Sequence, residues 1–290
     1  MKIVKEISAI QDISDHVRCL GKKIALVPTM GFLHEGHTSL MLKAKNENDI
    51  LVTSIFVNPT QFGKNEDFDK YPRDITEDYN ICEKAGVDYI FNPEVEEMYK
   101  EKNYTSVAVS DISEKLEGKF RPGHFTGVAT VVLKLLNAVK ADKLYLGQKD
   151  AQQNVIIKKV IEDLNVDVEV IICPTLREEN GLAMSSRNSY LSEDQKNKAS
   201  VLNYILKEGK KLILENNISD PAAVKNHAVS ILKERTPEMV LQYYEITDNT
   251  ELEPVNNLDT YNGEILISLA AYSGTTRLID NIIFKNNNLH

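Results

Sequence analysis

Five short, nearly uninterrupted apolar runs, most of them stopped by a proline, constrain this chain more than any other feature. Lys22–Met30 contains Ile24-Ala25-Leu26-Val27 and meets Pro28, and Ile50–Asn58 is followed by Pro59. Val87–Asn92 meets Pro93, Lys143–Gly147 closes on a glycine, and Val166–Cys173 meets Pro174. Runs of this length without polar alternation suit strands buried on both faces. Helical patterns lie between them, at Gly36–Asn46, Asp74–Ala85, Phe125–Lys140 and Ala151–Leu164. In the third of these, Val128, Val131, Val132, Leu135, Leu136 and Val139 recur at helical spacing. Strand and helix in alternation imply right-handed crossovers and a parallel sheet. Such a sheet binds ligands beyond the carboxyl ends of its strands.

The pattern changes near residue 175. Leu176–Tyr190 is polar and aperiodic, two helical stretches follow at Glu193–Glu215 and Pro221–Arg235, and β-type runs occupy Val240–Ile246, Ile265–Ala271 and Thr276–Phe284. The expected architecture is α/β: a Rossmann-like parallel-sheet domain over 1–175 and a smaller α+β domain over 176–290. A length of 290 residues fits two domains at roughly 150 residues each. Asn286-Asn287-Asn288 is expected to fray, and the acidic run Glu94-Val95-Glu96-Glu97 to open a solvated helix.

Composition narrows the function classes. Hydrophobic residues at 42% suffice for ordinary cores, and no apolar run reaches the length of a membrane span. The opening Met1-Lys2-Ile3-Val4-Lys5-Glu6 lacks the long apolar stretch of a secretory signal. Cys19, Cys82 and Cys173 are scattered and odd in number, which points to reduced thiols in a cytoplasmic protein, with Cys173 filling the core. A net charge of −9 argues against nucleic acid or an anionic membrane as partner. It leaves room for a small anion held by a local set of donors.

Pro28-Thr29-Met30-Gly31-Phe32-Leu33-His34-Glu35-Gly36-His37 joins the first of those strands to its helix, where an open α/β sheet binds ligands. Gly31 and Gly36 permit tight turns, and the helix opening near Gly36 offers unpaired N–H groups to an anion. His34 and His37 stand three apart with a glycine between them, unlike the four-residue spacing of an HExxH zinc site. Metal ligation, a structural loop pair and a phosphate-facing pair are the three readings, and position and glycine content favour the last. Gln61, in Asn58-Pro59-Thr60-Gln61-Phe62-Gly63, carries a donor and an acceptor suited to a hydroxyl and a carboxylate together. Arg121-Pro122-Gly123-His124-Phe125-Thr126-Gly127 reads as a turn into a helix. Gly147-Gln148-Lys149-Asp150 ends a strand: Lys149 can follow a phosphate, Asp150 can meet ribose hydroxyls or cap the next helix, and Gln153 lies one turn on. Met184-Ser185-Ser186-Arg187 sets two hydroxyls and a guanidinium in a polar loop, as a phosphate clamp or a solvated linker would.

His34-Glu35-Gly36-His37 resembles the HIGH signature of the nucleotidylyl-transfer superfamily. The longer string, with Tyr71-Pro72-Arg73-Asp74 and the motifs around Gln61, Arg121, Lys149 and Arg187, resembles the pantothenate synthetases (pantoate–β-alanine ligases) over nearly the whole first 190 residues. Ala151 departs from the aromatic residue often found there in that family. The resemblance implies ATP-dependent condensation of (R)-pantoate with β-alanine through pantoyl adenylate, releasing AMP and pyrophosphate. It implies ATP contacts from Met30, Gly31, Phe32, Leu33, His34, Glu35, Gly36 and His37 in the first loop. Further ATP contacts are implied for Gly147, Gln148, Lys149 and Asp150, and for Leu176, Met184, Ser185, Ser186 and Arg187. His34, His37, Lys149 and Arg187 carry the catalysis in this reading, with His37 as proton donor, and Gln61 and Gln153 bind pantoate. Arg121 and His124 are expected to approach the site, and the second domain, opening with the Ser185-Ser186-Arg187 loop, to lid it. Mg²⁺ is expected with ATP, with Asp78 as an outer partner, and the assembly is expected to be a homodimer. Another nucleotidylyltransferase of the superfamily and a non-catalytic nucleotide sensor are the competing functions.

Overall fold

The computed structural model describes residues 1–63 and 66–286, which divide into two compact units. The first comprises Met1–Glu114, Gly118–Gly147 and Ile156–Pro174; the second comprises Lys115–Glu117, Gln148–Val155 and the chain from Thr175 onward.

The first unit is built on a parallel six-stranded sheet in the order β1-β4-β3-β2-β5-β6. Its strands are β1 (Lys2–Val4), β2 (Ile24–Thr29), β3 (Ile50–Ile55), β4 (Tyr89–Phe91), β5 (Lys143–Gly147) and β6 (Glu169–Cys173). Its helices are α1 (Ile7–Cys19), α2 (Glu35–Glu47), α3 (Ile75–Lys84), the short α4 (Val95–Met98) and α5 (Leu116–Phe120), α6 (His124–Val139) and α7 (Ala151–Asp163); parts of α5 and α7 group with the second unit. Alternate residues of β2 face opposite layers. Ile24 and Leu26 pack with Val128, Val132 and Leu135 of α6, while Ala25 and Val27 pack with Leu40 and Met41 of α2. Both faces are covered, which is why the strands read as continuous apolar runs. Strand order reverses between β2 and β5, and the crevice at such a reversal is where doubly wound sheets take ligands.

Among the first-unit elements unread in the sequence are β1 and α1. β1 is three residues long, of which only Val4 is buried, so it leaves almost no pattern. α1 buries Ile10, Ser14 and Val17, a helical spacing that was available. The acidic run at Glu94–Glu97 is also more than a solvated helix start. Glu97 accepts the Ile7 N–H at 2.7 Å and Glu94 pairs with Lys5 at 2.8 Å, supplying an acceptor to a helix whose own N-cap side chain makes no bond.

The second unit contains an antiparallel sheet β7-β8-β9 (Val240–Asp248, Glu264–Ser273, Thr276–Lys285) against α9 (Val201–Leu214) and α10 (Pro221–Arg235). The expected single helix over Glu193–Glu215 is two, α8 (Glu193–Ala199) and α9. They meet at Ser200, whose hydroxyl donates to the Asn197 carbonyl at 2.6 Å. The fraying expected from Asn286 does not occur there: it is 1% exposed and donates to the Leu258 and Tyr261 carbonyls. Asn287 and Asn288 lie outside the described residues. Cys173 is buried in the core as expected, and burial pushes the Cys82 thiol up to about 12. Among the described residues no helix is long and apolar enough to cross a membrane.

Candidate active site

The loop after β2 is shaped by one buried carboxylate. Asp78 of α3 is 3% exposed and accepts the Phe32 N–H at 2.9 Å and the Leu33 N–H at 2.7 Å. Burial pushes its carboxyl above the ordinary value, against the pull of the two amides. The loop turns sharply because Gly31 (φ +78°) and Phe32 (φ +49°) both adopt left-handed backbone. Thr29, at the end of β2, accepts the Gly31 N–H at 3.2 Å and donates to the Ser54 carbonyl at 2.7 Å. A Cβ at residue 31 would stand 2.8 Å from Asp78 Oδ2, so glycine is required by space as well as by φ. With both oxygens engaged by loop amides, Asp78 acts as loop organiser.

His34 and His37 form a reciprocal cap on α2. His34 Nδ1 accepts the Gly36 N–H at 3.1 Å, and His37 Nδ1 accepts the His34 N–H at 3.3 Å. A backbone amide can only donate, so each neutral ring carries its proton on Nε2. The spacing of three has this cause: it places the pair at N-cap and N3, whereas two zinc-binding histidines on one helical face stand four apart. The rings lie 4.1 Å apart between centroids, at the positive end of the helix dipole. Glu35, between them in sequence, is exposed.

Gln61 sits in a 3₁₀ turn (Pro59–Gln61) beyond β3, and its amide has a defined orientation. Asn58 Nδ2 donates to Gln61 Oε1 at 3.0 Å and to the Gly127 carbonyl at 3.2 Å. Asn58 Oδ1 is held by Tyr99 Oη at 2.8 Å and Thr60 Oγ1 at 2.9 Å. Gln61 Nε2 is therefore directed away from Asn58 and donates to Met30 Sδ at 3.1 Å. The turn rests on α6 at Gly127, where a Cβ would meet the Thr60 carbonyl oxygen at 2.4 Å. His124 Nδ1 lies 2.8 Å from the Gln61 carbonyl oxygen and His124 Nε2 lies 3.0 Å from Arg121 Nη1. Arginine cannot accept, so His124 accepts at Nε2 and donates at Nδ1. Arg121 closes the chain with a two-pronged pair to Glu66 at 2.7 and 2.5 Å. Burial raises the Glu66 carboxyl, but the Arg121 bonds outweigh it and hold it below its ordinary value. Arg121 and His124 thus reach Gln61 through its backbone.

The second unit gathers the other candidates. Lys149 and Asp150 are half-buried ahead of α7, with Lys149 Nζ 3.8 Å from Asp150 Oδ1. Gln152 is occupied structurally, accepting the Glu117 N–H at 2.8 Å and donating to the Lys115 carbonyl at 2.9 Å, while its neighbour Gln153 is half-buried. Leu176 and Met184 are paired across a turn, the Met184 N–H reaching the Leu176 carbonyl at 3.0 Å. Ser185 caps the following 3₁₀ turn (Ser186–Tyr190) by accepting the Arg187 N–H at 3.3 Å; Ser186 is buried and Arg187 half-buried. The candidate phosphate-facing side chains divide accordingly, His34 and His37 in the first unit, Lys149 and Arg187 in the second. Asn58 was read in the sequence only as a strand stop, and Tyr99, Glu66 and Gly127 received no role of their own. A buried asparagine beside a proline was the one usable signal among them.

Residues 2–283 match the family model described as pantoate-beta-alanine ligase. A pantothenate synthetase of Caldicellulosiruptor saccharolyticus is 50% identical over 285 residues, covering 98% of this chain and all of the relative. One of Clostridium botulinum is 47% identical at the same coverage. The crystal structure of the pantothenate synthetase of Thermus thermophilus superposes with a TM-score of 0.90 at 38% identity, covering 97% of this chain and 99% of that one. The pantoate-beta-alanine ligase of Francisella tularensis, solved with beta-gamma ATP and β-alanine, gives 0.79 at 37% identity, covering 99% and 98%.

Proposed function

Because the chain belongs to the pantoate–β-alanine ligase family, it joins pantoate to β-alanine with ATP as co-substrate, and we propose that it does so in two steps through a pantoyl adenylate. In the first step a pantoate carboxylate oxygen attacks the α-phosphorus and the bond to pyrophosphate breaks. In the second, the deprotonated β-alanine amine attacks the acyl carbon, AMP leaves, and the amine's surplus proton goes to solvent. A carboxylate is a poor acylating group because oxide would have to leave, and adenylation replaces oxide with AMP.

The observation that carries this reading is the His34–His37 cap. Two imidazoles fixed as Nε2–H donors at a helix N-terminus suit a phosphate whose negative charge grows as pyrophosphate departs. We assign His37 as the donor to that charge and His34 to the phosphates beside it. Lys149, Ser185, Ser186 and Arg187 are assigned to the triphosphate, where positioning and charge neutralisation do most of the catalysis. The remaining nucleotide contacts are assigned to the Met30–Leu33 loop with Glu35 and Gly36, to Gly147, Gln148 and Asp150, and to the Leu176–Met184 turn. Gln61, its amide oriented by Asn58, and Gln153 are assigned to pantoate. Mg²⁺ would accompany ATP and neutralise charge on its phosphates. A homodimer in the cytoplasm belongs to the same reading, supported by the family resemblance and by three free thiols. Light scattering tests the dimer.

The experiment is pyrophosphate and AMP release with ATP, pantoate and β-alanine, omitting each in turn. Sustained release requires all three. Sustained pyrophosphate release without β-alanine and without free AMP would make the protein a different nucleotidyl-transfer enzyme, and ATP binding without any release would make it a sensor.

A further inference from the structure

The apolar strand β9 carries an anomaly: Asp280 and Asn281 stand side by side within it, 3% and 2% exposed. Asp and Asn are both disfavoured in strands, and a buried polar group is costly without partners. Asn281 finds its partners in the loop ahead of α7. Its Nδ2 donates to the Gln148 carbonyl at 3.0 Å and to the Lys149 carbonyl at 2.8 Å, and its Oδ1 faces Gln148 Nε2 at 3.3 Å. Asp280 takes a two-pronged pair from Arg177 at 2.6 and 3.0 Å, and Arg177 also donates to the Gly181 carbonyl at 3.2 Å. One residue thus fixes the Gln148–Lys149 backbone, and its neighbour anchors the Leu176–Met184 turn.

Peptide planarity gives the first contact a direction. In a trans peptide the N–H of one residue points opposite to the preceding carbonyl. With the carbonyls of Gln148 and Lys149 both drawn to Asn281, the N–H groups of Lys149 and Asp150 turn away from β9. The Lys149 side chain starts from a backbone fixed on both sides.

We propose that Asn281 is a positioning residue for the nucleotide: it sets the two peptide planes from which Lys149 reaches the triphosphate, and Asp280 anchors the Leu176–Met184 turn beside it. The proposal rests on the assignment of Lys149 to ATP made above.

The test uses the full-length protein with Asn281→Asp, which keeps the shape but sets an acceptor against two carbonyls, and Asn281→Ala. ATP affinity is measured by calorimetry, kcat and KM by pyrophosphate release, and folding by thermal melting, alone and in a Lys149→Ala background. Losing two hydrogen bonds should weaken ATP about tenfold to a hundredfold, leaving KM for β-alanine unchanged. Once Lys149 is alanine, the Asn281 substitutions should cost less than about threefold more, because both act on one contact. Unchanged ATP affinity in the folded variants would overturn the proposal, as would losses that multiply fully with Lys149→Ala. If neither variant folds, Asn281 is a structural residue and the proposal is overturned too. Full ATP affinity and turnover in Lys149→Ala alone would instead overturn the assignment on which it rests.

Discussion

Asn58 holds the side-chain oxygen of Gln61 at 3.0 Å, so the Gln61 amide has one orientation and directs its NH₂ at Met30 Sδ, 3.1 Å away. An isolated glutamine could present either end. Replacing Asn58 with Asp removes the donor and sets two acceptors face to face, so Gln61 must flip. We predict a fall in kcat/KM for pantoate of about tenfold or more, from one lost and one reversed hydrogen bond, with ATP affinity within twofold of the parent. Steady-state kinetics with each substrate varied separately checks this, and equal damage to ATP and pantoate would contradict it.

His37 has separable jobs at its two nitrogens. Asparagine can keep the cap, since its Oδ1 stands where Nδ1 accepts the His34 N–H, but it has no counterpart to Nε2–H. His37→Asn is expected to melt within a few degrees of the parent and to lose on the order of 10²–10³ in pantoate-dependent kcat. Near-normal turnover with a normal melt would remove His37 from the chemistry.

Asp78 gives a pH signature of known sign. Its folded carboxyl is raised by burial, so its contribution to stability is fully present below the unfolded value of about 3.9 and is lost as pH rises through the folded value. Asp78→Asn cannot titrate, and its NH₂ opposes either the Phe32 or the Leu33 amide. In urea unfolding from pH 4 to 7, the parent's advantage over the variant should shrink as pH rises. The variant's ATP affinity should fall throughout, because the Met30–Leu33 loop loses its organiser. A gap that widens with pH would contradict the sign.

Two glycines should resist even alanine. At Gly31 the Cβ meets Asp78 Oδ2 in left-handed backbone, and at Gly127 it meets the Thr60 carbonyl. Either substitution should cost about 1–3 kcal/mol of stability. Gly31→Ala should weaken ATP, and Gly127→Ala should weaken pantoate by lifting the turn that carries Gln61. Denaturant melts with calorimetry for each ligand separate the two effects.

The parallel sheet was legible because buried strands leave apolar runs and prolines mark their ends. Lys143–Gly147 matched residue for residue, and α6 was readable from its valines and leucines. The three-residue β1 left no such trace. Motif residues such as His34 and Lys149 were legible because each motif is continuous in the chain. The groups that orient them were not, because they arrive from far away. Asp78 reaches Leu33 across 45 residues, Asn58 reaches Gly127 across 69, and Asn281 reaches Gln148 across 133. The histidine spacing was legible in part: three apart argued against an HExxH zinc site, but its origin in a reciprocal helix cap needed the backbone.

The most direct measurement is rapid-quench pyrophosphate release with enzyme, ATP, Mg²⁺ and pantoate, and no β-alanine. An acyl-adenylate route predicts a burst of about one pyrophosphate per active site, which then stops until β-alanine is added and AMP appears. No pyrophosphate before β-alanine arrives, or ADP in place of AMP, would contradict it.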